Sequence, residues 1–158
     1  MAVLGVSFAA EKSSHARDLH GRLGLGYNGQ FSNSKVVLTG VPGISLKYGM
    51  TSDVAAAVIA GVKTASPNNS VLGVKFFKNV FFETNLNFYF FMGAALLTAG
   101  NESGSEFLGG PGVEFFIPGV ESLGFSVETG GSLSNISGKF VLKTIGVSFL
   151  EAGIHFYF

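Results

Sequence analysis

The chain of 158 residues contains no cysteine and no tryptophan. Without cysteine there are no disulfides and no thiolate chemistry, and the redox compartment cannot be read. Charge is scarce as well. Charged residues make up 13% of the chain, against about 25% in ordinary soluble domains. The formal net charge is zero, so nothing points to a nucleic-acid partner. Long hydrophobic runs are also missing. The longest uncharged apolar stretch, Phe88 to Gly100, is broken by Gly93 and falls short of the roughly 18 residues a spanning helix needs.

What is present is apolar all the same. Hydrophobic residues reach 47%, with 17 phenylalanines and 23 glycines, and the mean hydropathy is +0.44. This is a membrane composition without a membrane helix. Backbone N–H and C=O groups in lipid must be satisfied internally, so the remaining spanning solution is a closed β-barrel.

Period-two alternation supports that reading along most of the chain. In 19–31, Leu19, Leu23, Leu25, Tyr27 and Phe31 share one face, while His20, Arg22, Gly24, Gly26, Asn28 and Gln30 share the other. Alternation recurs in 42–50, 54–63, 71–77, 112–117 and 122–133. Residues 87–98 read as a strand with both faces apolar, and their faces stay unassigned. The last strand, 142–158, changes parity: Ile145, Val147 and Phe149 are odd, but Ile154, Phe156 and Phe158 are even. A β-bulge near Phe149–Leu150 would repair it. The expected connections are 51–53, 78–86 and 118–121 at the end carrying Phe158, and 33–41, 65–70, 99–105 and 134–141 at the other. The expected organisation is an arm or signal remnant over 1–18 and a barrel over 19–158. Ala2 to Ala10 could equally be a secretory-signal tail, a first strand or an arm.

The chain closes on Glu151-Ala152-Gly153-Ile154-His155-Phe156-Tyr157-Phe158. This stretch resembles the C-terminal assembly signal of bacterial outer-membrane barrels, with Glu151, Gly153, Phe156 and Phe158 in the polar, glycine, aromatic and terminal aromatic places. The eight-strand pattern looks like the small outer-membrane-protein-A-like and opacity-like families; outside the last strand that likeness is generic. The resemblance implies an all-β fold: an eight-stranded antiparallel up-and-down transmembrane β-barrel in the outer membrane of a Gram-negative bacterium. It further implies contact with outer-membrane lipids, and recognition by the insertion machinery through Gly153, Phe156 and Phe158. A monomer is expected, with no nucleic-acid partner and no cofactor.

The polar faces then line a lumen. Arg22, Lys47, Lys75, Glu114 and Glu128 project there from five different strands, joined on the same faces by Lys63 and Glu151. Phe77, Phe116 and Tyr157 take up further volume. Eight strands enclose a space that side chains can fill, so the expectation is a plugged barrel held by a polar network. Other motifs have plainer explanations. Gly24-Leu25-Gly26-Tyr27-Asn28-Gly29 fits the dinucleotide pattern, but no helical period follows it; glycines making room for long inward side chains explain it better. His15 and His20 have no Cys or carboxylate cluster with which to bind a metal. His155 lies at the wrong end for lipid hydrolysis at an outer leaflet, and no His has a Ser two residues away on the same strand face. The expected function is therefore non-enzymatic: a structural or surface-interaction barrel. The alternatives are a small porin-like transport pore and a soluble lipocalin-like barrel of inverted sidedness binding an apolar ligand.

Overall fold

The computed structural model describes residues 18–28, 43–64, 68–145 and 150–158. They form ten strands: β1 (Leu23–Asn28), β2 (Gly43–Gly49), β3 (Val54–Lys63), β4 (Asn69–Glu83), β5 (Leu86–Ala99), β6 (Glu102–Ile117), β7 (Val120–Glu128), β8 (Gly131–Ile136), β9 (Lys139–Thr144) and β10 (Glu151–Tyr157). Consecutive strands from β1 to β7 pair antiparallel, and β10 bridges β7 to β1. The sheet is thereby closed, with Gly24 opposite Tyr157 at the seam.

Ten segments make eight barrel strands. β7 and β8 face β6 in one continuous register, with Gly112 opposite Glu128 and Gly109 opposite Gly131. The break between them falls opposite Pro111, which has no N–H to give the ladder; Pro111 O still accepts from Thr129 N at 3.0 Å. β9 and β10 are likewise two parts of the last strand. Two residues lie between Glu128 and Gly131, whereas six lie between their partners Thr144 and Glu151. The four extra residues are an even number, so both parts keep the same faces.

This corrects the parity reading. Ile145 is buried inside the barrel, while Phe140, Leu142, Ile154, Phe156 and Phe158 all point out. No parity repair is needed, and Val147 and Phe149 lie outside the described residues. The connections are also shorter than the sequence suggests. The expected 78–86 connection shrinks to Thr84–Asn85, because Asn79 to Glu83 continue pairing with β5 past a bulge at Val80. The expected 99–105 loop is a turn at Gly100–Asn101, and 134–141 is a turn at Ser137–Gly138. Ser137 (φ 51°) and Gly138 (φ 77°) both adopt the left-handed region, as a two-residue type I′ hairpin demands. The expected 33–41 connection lies outside the described residues.

Alternating burial fixes the faces. On β2, Gly43, Ser45, Lys47 and Gly49 are buried while Ile44, Leu46 and Tyr48 are exposed. On β5 the unassigned faces resolve: Asn87, Tyr89, Phe91, Ala95 and Leu97 point in, and Phe90, Met92 and Leu96 point out. Leu19 departs from its expected outward position. It is buried with Phe116 and Tyr157, because residues 19–22 fold across the barrel end; Gly21 N donates to Gly49 O at 2.9 Å and Arg22 N to Leu19 O at 3.0 Å.

Candidate functional site: the polar interior

The interior holds two stacked ion pairs. Lys47 comes from β2 and Glu114 from β6; Nζ lies 2.8 Å from Oε2. Lys75 on β4 pairs with Glu128 on β7. Each glutamate uses its second oxygen on a tyrosine: Tyr157 Oη donates to Glu114 Oε1 at 2.6 Å, and Tyr89 Oη to Glu128 Oε1 at 2.7 Å. The ammonium groups also lie over rings, Lys47 4.5 Å from the Phe77 centroid and Lys75 4.4 Å from that of Phe91. Phe77 and Tyr89 meet edge to face. Lys75 has 0% of its surface exposed. A charge that deep is tolerated only with a partner and satisfied hydrogen bonds, and this arrangement supplies both.

Local sequence makes the room. A Cβ on Gly112 would lie 2.6 Å from the Tyr89 ring and 2.9 Å from Glu128 Cγ. A Cβ on Gly124 would lie 2.9 Å from Glu114 Oε1, and one on Gly24 2.6 Å from the Tyr157 ring. Gly24 and Gly26, the start of the dinucleotide-like pattern, sit inside β1 against Tyr157 and His155.

Of the five charges expected in the lumen, Lys47, Lys75, Glu114 and Glu128 are brought together. Arg22 is not. It is half-buried at the barrel end, where Nη2 donates to Tyr157 O at 3.4 Å. Its strand partners do not surround it, because β1 begins one residue later. Lys63 and Glu151 are half-buried, and His20 is exposed. Gly153 is buried; Phe156 and Phe158 point outward on β10.

Sequence reasoning missed three contributors. Tyr89 lay on a strand of unassigned faces. Glu106 and Lys143 form a third pair, 3.3 Å apart, nearer the other end of the barrel. Glu106 fell in a stretch, 106–111, that was given no strand, although it shares parity with Gly112 and Glu114. Ser45 and His155 also meet in the interior, 2.8 Å apart between Oγ and Nε2. Both residues are buried, and among the described residues Nδ1 of His155 has no partner. The described residues hold no group of three metal-ligating side chains.

The outside of the barrel is the inverse of the interior. Leu25, Ile44, Leu46, Val58, Leu72, Val74, Phe76, Met92, Leu96, Phe107 and Ile154 are all exposed. Fold and interior together define a closed eight-stranded antiparallel β-barrel with a polar, charged inside and an apolar outside. No family model and no curated protein matches the chain. Among solved structures it is similar to the crystal structure of the N-terminal β-barrel domain of Pseudomonas aeruginosa OprF, with a TM-score of 0.61 and 15% identity, over 88% of this chain and 98% of that one. At that identity the likeness is one of fold.

Proposed function

We propose that the chain is an integral barrel of a bacterial outer membrane, with a structural or surface-interaction role and a lumen plugged by its own side chains. The observation that carries this reading is the inverted polarity. A soluble barrel needs its bulky apolar side chains inside. Here a continuous outer wall of Leu, Ile, Val and Phe is exposed while two Lys–Glu pairs are buried. That wall suits acyl chains, and a contiguous apolar surface of this extent is not stable in water. The same polarity speaks against the lipocalin-like alternative, in which an apolar ligand would sit where the charges are. The fold shared with the OprF barrel domain agrees with the membrane reading.

The packing supports a plugged lumen. Leu19, Phe116 and Tyr157 close one end of the interior, and Leu97, Leu108, Ile136 and Ile145 pack in the other half. In this reading the chain works as a monomer in outer-membrane lipid, and the last strand, with Gly153, Phe156 and Phe158, is what the insertion machinery reads.

The test compares wild type with a Phe158 deletion, in cells and in refolding. Purified wild type should enter lipid vesicles and run with heat-modifiable gel mobility. The deletion should lower outer-membrane yield in cells while refolding in detergent survives. Wild type that stays out of vesicles would sink the membrane reading. Equal yields in cells would sink only the role of the last strand.

A further inference from the structure

We propose that the rim opposite Phe158 is a surface for anionic phospholipids, whose headgroups sit on Lys63 and Lys139 while their acyl chains lie on the wall beside them. The proposal rests on the membrane reading above.

The two ends of the barrel differ in charge. Lys63 closes β3 and Lys139 opens β9, both at the end that carries the Ser137–Gly138 turn. Lys63 is half-buried and Lys139 exposed, and neither has an ion-pair partner among the described residues. Glu102, which opens β6, is the third charge at that rim, and Glu106 and Lys143 deeper in pair with each other. The rim therefore sets two lysines against one glutamate. At the opposite rim Asp18, Asp53, Glu83 and Glu121 outnumber Arg22 and Lys78. There Lys78 is held by Asp53, and Arg22 donates to Tyr157 O. Positive charge left over is thus confined to the rim opposite Phe158.

The apolar surface points to the same places. Leu142, Val62 and Phe140, at 80%, 73% and 70%, are the most exposed large apolar side chains among the described residues. Val62 adjoins Lys63, and Phe140 adjoins Lys139. Leu142 shares the outward face of β9 with Phe140. By strand parity both lysines lean toward the lumen side. At a strand end, however, the four-carbon stem can turn over the rim and hold its ammonium at headgroup level while covering apolar wall.

That pairing selects the occupant. An acidic soluble partner would satisfy the lysines but leave the neighbouring wall uncovered. A zwitterionic lipid covers the wall, but its phosphate is already balanced by its own ammonium. A lipid with net negative charge on its phosphate meets both demands, and lysines near such a surface are drawn to it.

The experiment uses the full chain, which has no cysteine of its own. Leu142→Cys, Val62→Cys and Met50→Cys each take a bimane; Met50 is exposed beside the β2–β3 turn at the opposite rim. Each protein is refolded into phosphatidylcholine vesicles holding either brominated phosphatidylglycerol or brominated phosphatidylcholine. Bromine quenches the bimane by contact, so the ratio of the two quenching strengths reports the lipid next to each label. At low ionic strength phosphatidylglycerol should be enriched about fivefold at positions 142 and 62, and not at position 50. High salt should erase the excess. Lys139→Gln should remove it at position 142, and Lys63→Gln at position 62. Equal ratios at all three positions, or an excess that survives the matching lysine variant, overturn the lipid surface alone. Absence of heat-modifiable mobility, with no quenching by either lipid, overturns the membrane reading and the surface with it.

Discussion

In the half of the interior nearest Phe158, each buried charge meets its opposite and each glutamate also accepts from a tyrosine. In the half nearest the Ser137–Gly138 turn the arrangement is looser. Glu106 is 0% exposed, yet its partner Lys143 keeps 27% of its side chain in contact with solvent. Oδ1 of Asn69 and Oγ of Ser132 have no partner among the described residues. Apolar side chains, Leu97, Ile136 and Ile145, fill much of the remaining space. The difference follows from access to water. A charge sealed on all sides needs a protein partner for every proton and lone pair, whereas a lysine near the rim can reach solvent with its head while its stem packs.

The largest expected effect separates the two halves. Glu128→Ala leaves Lys75 buried without its carboxylate and should cost about 3–5 kcal/mol of unfolding free energy. Glu106→Ala frees a lysine that already reaches water and should cost no more than about 1–2 kcal/mol. Denaturant titrations of both variants in the same detergent, with Lys139→Ala as an exposed control, check the pair. Equal losses at 128 and 106 would erase the distinction between the halves.

A second effect contrasts interior with wall. Val58 points out and its neighbour Ala57 points in. Val58→Arg should cost about 2–4 kcal/mol in a bilayer if it lies near the midplane. Ala57→Ser should be nearly silent. Refolding into lipid vesicles across a urea series measures both, and similar behaviour would contradict the polarity of the wall.

Close packing around the ion pairs predicts a somewhat smaller loss. Gly112→Ala would drive a methyl into the Tyr89 ring and Glu128 Cγ, and overpacking of this kind costs about 1–3 kcal/mol. The same denaturant titration measures it. A neutral outcome would mean that Tyr89 and Glu128 can shift without losing their bond, so the tight half would be less tight than its geometry implies.

Much of this was legible in the chain because a two-residue period sorts side chains without any knowledge of the fold. Lys47, Lys75, Glu114 and Glu128 could be placed on one surface by parity alone, and the last strand gave both a face and an end. The period fails where composition hides it. In Asn87 to Thr98 nearly every residue is apolar, and the inward face is marked only by Asn87, Tyr89 and Gly93. The expected strand starts only at Gly112, after the breakers Gly109-Gly110-Pro111, yet these run through the middle of β6. Proline is tolerated there because the ladder is already interrupted opposite it, and Gly112 makes space for Tyr89. Glu106 was lost with that stretch. Leu19 and Arg22 were misplaced because strand parity was extended past the start of β1, where the chain turns across the barrel end.

The smallest expected effect lies at the rim, where water competes fully. Lys78 and Asp53 pair beside the β2–β3 turn, with both side chains exposed. The Lys78 hydrogen bond, and after it that of Thr51 Oγ1, hold the Asp53 carboxyl below its ordinary value of 3.8. A lowered folded-state value stabilises the fold above the unfolded value, and that stabilisation is lost as pH falls through the lower folded one. Asp53→Asn should flatten this small acid dependence, and added salt should mask it. Unfolding midpoints of wild type and variant, followed into acid at low and high salt, give the comparison. An acid dependence unchanged by the substitution would remove the rim pair from the account.

The central claim is that the interior is sealed by its own side chains, and conductance tests it most directly. Purified, refolded protein in a planar bilayer should show no steady single-channel current if, as proposed, the two Lys–Glu pairs with Tyr89, Tyr157 and Phe116 fill the space between the strands. Incorporation must be confirmed in the same preparation by heat-modifiable mobility. A steady open conductance from that preparation would contradict the sealed interior and make the barrel a pore.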